Sequence, residues 1–185
     1  MNQSKNASRA DNQQERLIKI GWIIGFVDGE GCFSIGFIKQ PEKTEQNRLR
    51  RGYKTGYQVT HEFVVTQGEK SLPSLEILKE YFGVGRIYVN HRKDNHKEPL
   101  YRYAVRNREE LNEVIIPFFK KYSLKTAKKE DFGKFEQCLK IILKGEHLTS
   151  SGLQKILAIA NSMNRKKIRQ LLTKNPQRPH AKPLH

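Results

Sequence analysis

Asp28 and Glu30 stand two residues apart in the run Asp28-Gly29-Glu30-Gly31, where a strongly apolar stretch stops and an alternating one begins. Two carboxylates at a junction of that kind offer oxygen atoms to a ligand or serve as caps for the chain ends that meet there. A second group of polar residues is spread more widely. Ser34, Gln58, Thr60, Glu62, Arg86, Tyr88, Asn90, Arg102 and Arg106 all fall on the polar phase of segments whose other phase is aromatic or aliphatic. Such donors and acceptors suit base edges and phosphates. A plain solvated face is the other reading, since antiparallel sheets commonly have one.

The elements that must carry these groups follow from periodicity. Leu17 to Asp28 is apolar over a helical length and nearly apolar all round, so it is expected to be buried on more than one side. Gly21, Gly25 and Gly29 recur every fourth residue, a stripe without side chains where another backbone can approach closely. Cys32 to Gln40 alternates as a strand, a charged loop covers Glu42 to Arg51, and a second strand runs from about Thr55 to Gln67. Leu72 to Phe82 has helical spacing, with Ser71 as its cap and Pro73 in its first turn. Gly83 and Gly85 stop that helix and open a hairpin of Gly85 to His91 and Leu100 to Arg106, joined by Arg92 to Glu98. A short helix from Glu109 to Ile116 ends before Pro117, and longer ones cover Lys129 to Leu143 and Thr149 to Met163. This order predicts an α+β domain: a four-stranded, mostly antiparallel sheet with helices grouped on one face.

Composition narrows the partner. Lys and Arg outnumber Asp and Glu by 35 to 19, giving +16 and a pI near 9.9. An excess of that size suits a polyanion, because each neutralised phosphate releases counterions. Ribosomal proteins, nucleases and binders of anionic membranes share it. From Lys120 onward there are 16 basic and 4 acidic residues, against 19 and 15 before it. The cluster Arg165, Lys166, Lys167 and Arg169 reads equally as a solvated helix end and as a DNA contact. Cys32 and Cys138 are far apart and lack paired metal spacing, so they fit buried thiols rather than a disulfide framework or zinc site. No apolar run approaches the roughly 18 residues of a membrane span. Residues 1–16 read as a disordered leader, 17–164 as a single domain and 165–185 as a basic flexible tail.

Ile23 to Gly31, I-I-G-F-V-D-G-E-G, closely resembles the signature of the LAGLIDADG homing endonucleases, in the expected place between an apolar helix and a strand. F-V-V-T-Q (Phe63 to Gln67), G-V-G (Gly83 to Gly85), L-K-T-A-K-K-E-D-F (Leu124 to Phe132), H-L-T-S-S-G-L-Q-K-I (His147 to Ile156) and M-N (Met163, Asn164) resemble further segments of that family. The resemblance implies a saddle-shaped sheet laid on double-stranded DNA and hydrolysis of phosphodiester bonds. It makes Glu30 the ligand of a catalytic Mg²⁺ (Mn²⁺ substituting), helped by the Gly29 carbonyl. Gln67 matches a polar residue near the attacking water. Lys125 matches a basic residue that assists the water or the developing phosphate charge, with Lys128 and Lys129 as neighbours able to take that part or to bind DNA phosphates. Asp28 is implied as an interface or capping carboxylate, and Gly21, Trp22 and Gly25 as the face on which two signature helices meet. One signature per chain implies a homodimer and a near-palindromic target. An intron maturase that binds RNA, and a non-catalytic DNA-binding module, are the competing readings on this fold. The family suggests an organelle before a prokaryotic cytosol.

Overall fold

A computed structural model describes the backbone of residues 3–40, 43–45, 48–50, 52–90 and 99–163, with side chains for 11–40, 52–89 and 99–163. The loop expected over 92–98 and the basic tail 165–185 lie outside the described residues, as does the Asn90 side chain.

The chain opens with α1 (Gln3–Glu30), which passes directly into β1 (Gly31–Lys39). Residues 3–16, expected from sequence as part of a disordered leader, continue α1 in the structure. They contain no Pro or Gly, and adding turns to an existing helix is far easier than nucleating one. The charged loop also holds structure. β2 (Lys43–Glu45) and β3 (Arg48–Arg50) pair antiparallel, a ladder of backbone bonds too short to print a period-two apolar signature.

β4 (Tyr57–Gly68) follows, then a 3-10 turn (Glu69–Ser71) and α2 (Leu72–Phe82). Ser71 makes no side-chain cap bond; the 3-10 turn already occupies that entry. Gly83 ends α2 at φ 68°, a left-handed conformation that suits glycine. β5 (Arg86–Asn90) and β6 (Leu100–Val105) complete a four-stranded sheet of order β1-β4-β6-β5, antiparallel throughout.

The next helix runs past Pro117, where sequence alone would end it. α3 (Arg108–Glu110) leads into a π-helical turn (Leu111–Ile115) and α4 (Ile116–Lys121). The widened turn lets Pro117 fall in the first turn of α4, where a missing N–H costs little. α5 (Lys128–Leu143) and α6 (Ser150–Asn161) close the domain, α6 capped by the Thr149 hydroxyl accepting from the Gly152 N–H at 3.0 Å.

All these helices cover one face of the sheet. Register pairs Phe33 with Phe63 and Phe63 with Val105, and Val65 with Tyr103. Phe33 stacks on Phe63 at 5.0 Å between ring centroids and meets the edges of Phe119 and Phe132 at 5.5 and 5.2 Å. Around this aromatic centre pack Leu75 and Leu78 of α2, Leu139 and Ile142 of α5, and Leu153 and Ile156 of α6. Ile20, Ile23 and Val27 bring one side of α1 into the same core. Cys138 is buried there, which pushes its thiol pKa up to about 12 and leaves it unreactive. His61, on the core face opposite Ile35, and His147 each bury an imidazole Nδ1 that has no hydrogen-bond partner among the described residues. Burial first, then Arg108 nearby, lowers both imidazole pKa values.

Candidate functional site

α1 delivers the signature acids to the edge of the sheet. Gly31 has to be glycine: a Cβ there would stand 2.8 Å from the Val27 carbonyl oxygen, so a side chain would force helix and strand apart. The two carboxylates that flank Gly29 then take different parts. Asp28 is fully engaged. It accepts from the Lys125 N–H at 2.7 Å, from the Thr126 N–H at 3.3 Å and from the Thr126 hydroxyl at 2.8 Å. Those bonds fasten the segment that precedes α5 to the end of α1, which makes Asp28 a cap on backbone nearly a hundred residues away. Glu30 is exposed, and no hydrogen bond or ion pair among the described residues holds its carboxylate.

Lys128 occupies the space between them. Its ammonium donates to the Val27 carbonyl at 3.0 Å and to the Gly29 carbonyl at 3.1 Å. Sequence alone leaves Lys128 as an alternative to Lys125 in the site or as a DNA contact; in the structure its ammonium meets the last turn of α1, where unpaired carbonyls and the helix dipole favour a cation. Burial lowers the Lys128 pKa, opposed by the nearby Cys32, Asp28, Glu30 and Asp131. Lys125 and Lys129 are exposed to solvent. Register sets Gln67 two residues beyond the Gly31–Val65 pair, beside the end of α1, on the face of Phe63 and Val65 and half-buried. No hydrogen bond among the described residues joins the side chains of Glu30, Gln67 and Lys125 to one another. They share a neighbourhood, not a bonded array.

The open face of the sheet collects the second group. Cross-strand pairs place Ser34 beside Glu62, Gly36 beside Thr60 and Ile38 beside Gln58, and then Thr66 beside Arg102 and Arg102 beside Tyr88. Arg86 shares this side by register, as does the Asn90 backbone position, and Arg106 follows directly after β6. Glu62 is the one acid of the set. It accepts from Arg102 Nη2 and from Arg106 Nε, both at 2.9 Å. The Arg106 guanidinium also lies over the Tyr88 ring, 4.8 Å from its centroid. Gln40 donates to Gln58 at 3.1 Å and extends the polar surface past β1.

This arrangement of apolar helix, acid-glycine-acid junction and polar sheet is matched in sequence by a family profile described as LAGLIDADG endonuclease, over residues 23–139. The chain belongs to the LAGLIDADG endonuclease family. A "Probable intron-encoded endonuclease 2" of Neurospora crassa is 33% identical over 144 residues, covering 77% of this chain and 28% of that protein. A "Probable intron-encoded DNA endonuclease aI1" of Mycosarcoma maydis is 33% identical over 57% of this chain and 88% of its own length. Among solved structures, the homing endonuclease I-TnaI is 40% identical with a TM-score of 0.64, covering 78% of this chain and 87% of that one. I-SmaMI, bound to its uncleaved DNA target in the presence of calcium ions, is 36% identical with a TM-score of 0.63, covering 77% of this chain and 43% of its own. The chain spans about a quarter of the length of the first three curated relatives it matches.

Within this LAGLIDADG chain, two participants are not evident from sequence. Thr126 supplies the hydroxyl that Asp28 binds, and nothing local marks a threonine as the partner of an acid 98 residues away. Thr66 belongs to the polar face by strand parity, and its phase opposite Gln67 is the signal that could have placed it.

Proposed function

We infer that this chain forms half of a site-specific DNA endonuclease that hydrolyses phosphodiester bonds in a double-stranded target. The carrying observation is the pair of acids at the end of α1: Asp28 is consumed by structure, while Glu30 stands uncommitted where α1 meets the polar face. The site's chemistry suits a divalent cation. Its donors are carboxylate and carbonyl oxygens, the hard ligands that Mg²⁺ takes, and the Val27 and Gly29 carbonyls accept from the Lys128 ammonium. Glu30 and the Gly29 carbonyl are the groups that would hold Mg²⁺, which when bound supplies an activated water and charge stabilisation at the phosphate. Asp28 fixes the segment bearing Lys125, whose exposed ammonium is available to a phosphate oxygen. Gln67, half-buried at the strand end, has an amide to orient water.

A second copy of the fold completes the unit. Leu17, Ile18 and Trp22 are exposed on the side of α1 away from the core, at 56, 64 and 38%, and Trp22 stacks on Phe26. A Cβ on Gly21, Gly25 or Gly29 would meet nothing within 4 Å. Two such stripes packed on each other would seat a symmetric homodimer and place one Glu30 near each strand of a near-palindromic site. The intron-encoded relatives make an organelle the favoured setting.

Cleavage of a randomised duplex library with Mg²⁺, for the wild type and Glu30→Gln, tests the reading. One long near-palindromic cut site, lost in the variant, is the expected result. Duplex bound but never cut by the wild type overturns the endonuclease in favour of a binding module, and tighter binding of folded intron RNA favours a maturase.

A further inference from the structure

We propose that Glu62 is the specificity-determining residue of the sheet, holding Arg102 and Arg106 as a fixed pair of guanine readers in the major groove. The inference rests on the reading that this face receives duplex DNA. A carboxylate in the middle of such a face repels phosphate and lowers affinity for any sequence, so its presence calls for a compensating role in selectivity. The geometry supplies one. Arg102 pairs with Thr66, four residues along β4 from Glu62, so its side chain runs back along the ladder past the Val64–Ala104 pair to reach Oε1. Val64 and Ala104 lie on the open side of the sheet yet are only 7 and 2% exposed, as expected beneath that side chain. Arg106, the residue after Val105, stands across from Glu62 and reaches Oε2 through its Nε; no hydrogen bond among the described residues takes its terminal nitrogens, and the Tyr88 ring supports its plane.

A free arginine on a surface follows the nearest phosphate. One held by a carboxylate and an aromatic ring has lost that freedom before DNA arrives and presents a planar fork in one orientation. Guanine is the base whose major-groove edge offers two acceptors, O6 and N7, to such a fork. Glu62 also cancels one of the two charges, so the pair neutralises fewer phosphates than two free arginines would. Beside it, Arg86, Tyr88, Arg106, Asn107 and Glu110, whose carboxylate accepts from the Gly85 N–H, line an open cleft of about 230 Å³ where a base edge has room to sit.

Binding-site selection from randomised duplex and salt titrations, on the whole chain and on Glu62→Gln and Arg106→Lys, test this. The wild type is expected to enrich guanine at one or two positions in each half-site. Glu62→Gln should lose that enrichment, with the ratio of specific to non-specific binding falling about tenfold. Its affinity for unrelated duplex should rise, and the slope of log K against log salt should steepen by about 0.9 for every further phosphate that the released arginines neutralise. Arg106→Lys keeps the charge but not the fork, so it should lose guanine at one position with the slope unchanged; melting curves confirm that each variant folds. Unchanged base preferences and slope in folded Glu62→Gln overturn the proposal while leaving the endonuclease reading intact. A wild type that binds no duplex at all overturns both.

Discussion

The end of α1 and the open face of the sheet each hold a carboxylate next to basic side chains, yet they use them in opposite ways. At the end of α1 the basic group is drawn off. Lys128 is bound to backbone carbonyls and Asp28 to backbone N–H groups, and no hydrogen bond or ion pair among the described residues holds the Glu30 carboxylate. On the sheet the charges are spent on each other, Glu62 on Arg102 and Arg106. On the proposed reading, a group that does chemistry has to be available, whereas groups that read bases have to be fixed. Acids and bases of the same kinds yield either outcome, according to whether the backbone is within reach.

The largest effect should separate the two acids of the signature. Asp28→Ala removes the acceptor of three hydrogen bonds and leaves the Lys125 and Thr126 N–H groups without it, a loss of about 1–3 kcal/mol. Thermal melting should show that loss, and cleavage should fall with it. Glu30→Gln should abolish cleavage with the melting temperature unchanged. If the two variants melt alike, the division of labour between them is wrong. A smaller effect, about 1 kcal/mol after allowance for solvent, is expected of Lys128→Met, whose ammonium bonds are partly exposed. Because that charge is committed to α1, the salt dependence of DNA binding should stay as it was; a slope shallower by about 0.9 would return Lys128 to the phosphates.

The smallest effect lies under the sheet. His61 and His147 have imidazole pKa values lowered in the folded protein, with Arg108 adding to the effect of burial and Glu109 opposing it at His61. The unfolded chain therefore takes up protons first as pH falls. Stability from this pair is complete above the ordinary imidazole value of about 6.5 and declines as pH drops below it. Melting temperatures at about pH 7.5 and about pH 5.5, on either side of that value, should differ by more in the wild type than in His61→Gln/His147→Gln. Equal differences would remove the histidines as the cause.

Much of this is legible in the residues themselves. β1 and β4 announce themselves because one face is buried and the other is not, so the period of two is clean and the polar residues of the open face fall out by parity. The signature helix and its two acids are visible for a similar reason, since an acid-glycine-acid run closing an apolar stretch is rare. What stays hidden is long-range or purely backbone. The Asp28–Thr126 bond spans 98 positions, the β2–β3 ladder has no apolar pattern, and the π turn that carries the chain past Pro117 leaves no mark at the proline itself. The Glu62–Arg102 bond is equally out of reach, because strand pairing alone matches Arg102 to Thr66.

The glycine stripe of α1 and its terminal acid lie on one rigid rod. Gly25 is five residues from Glu30, about 7–8 Å along the axis, with Gly29 between. Two rods in contact along that stripe would fix the gap between their tips by the closeness of their backbones, a spacing of roughly 8 Å or less where no side chains intervene. The helix would then act as a gauge. Widening it at Gly25 should alter how far apart the two strands are cut while leaving untouched which bases the sheet selects.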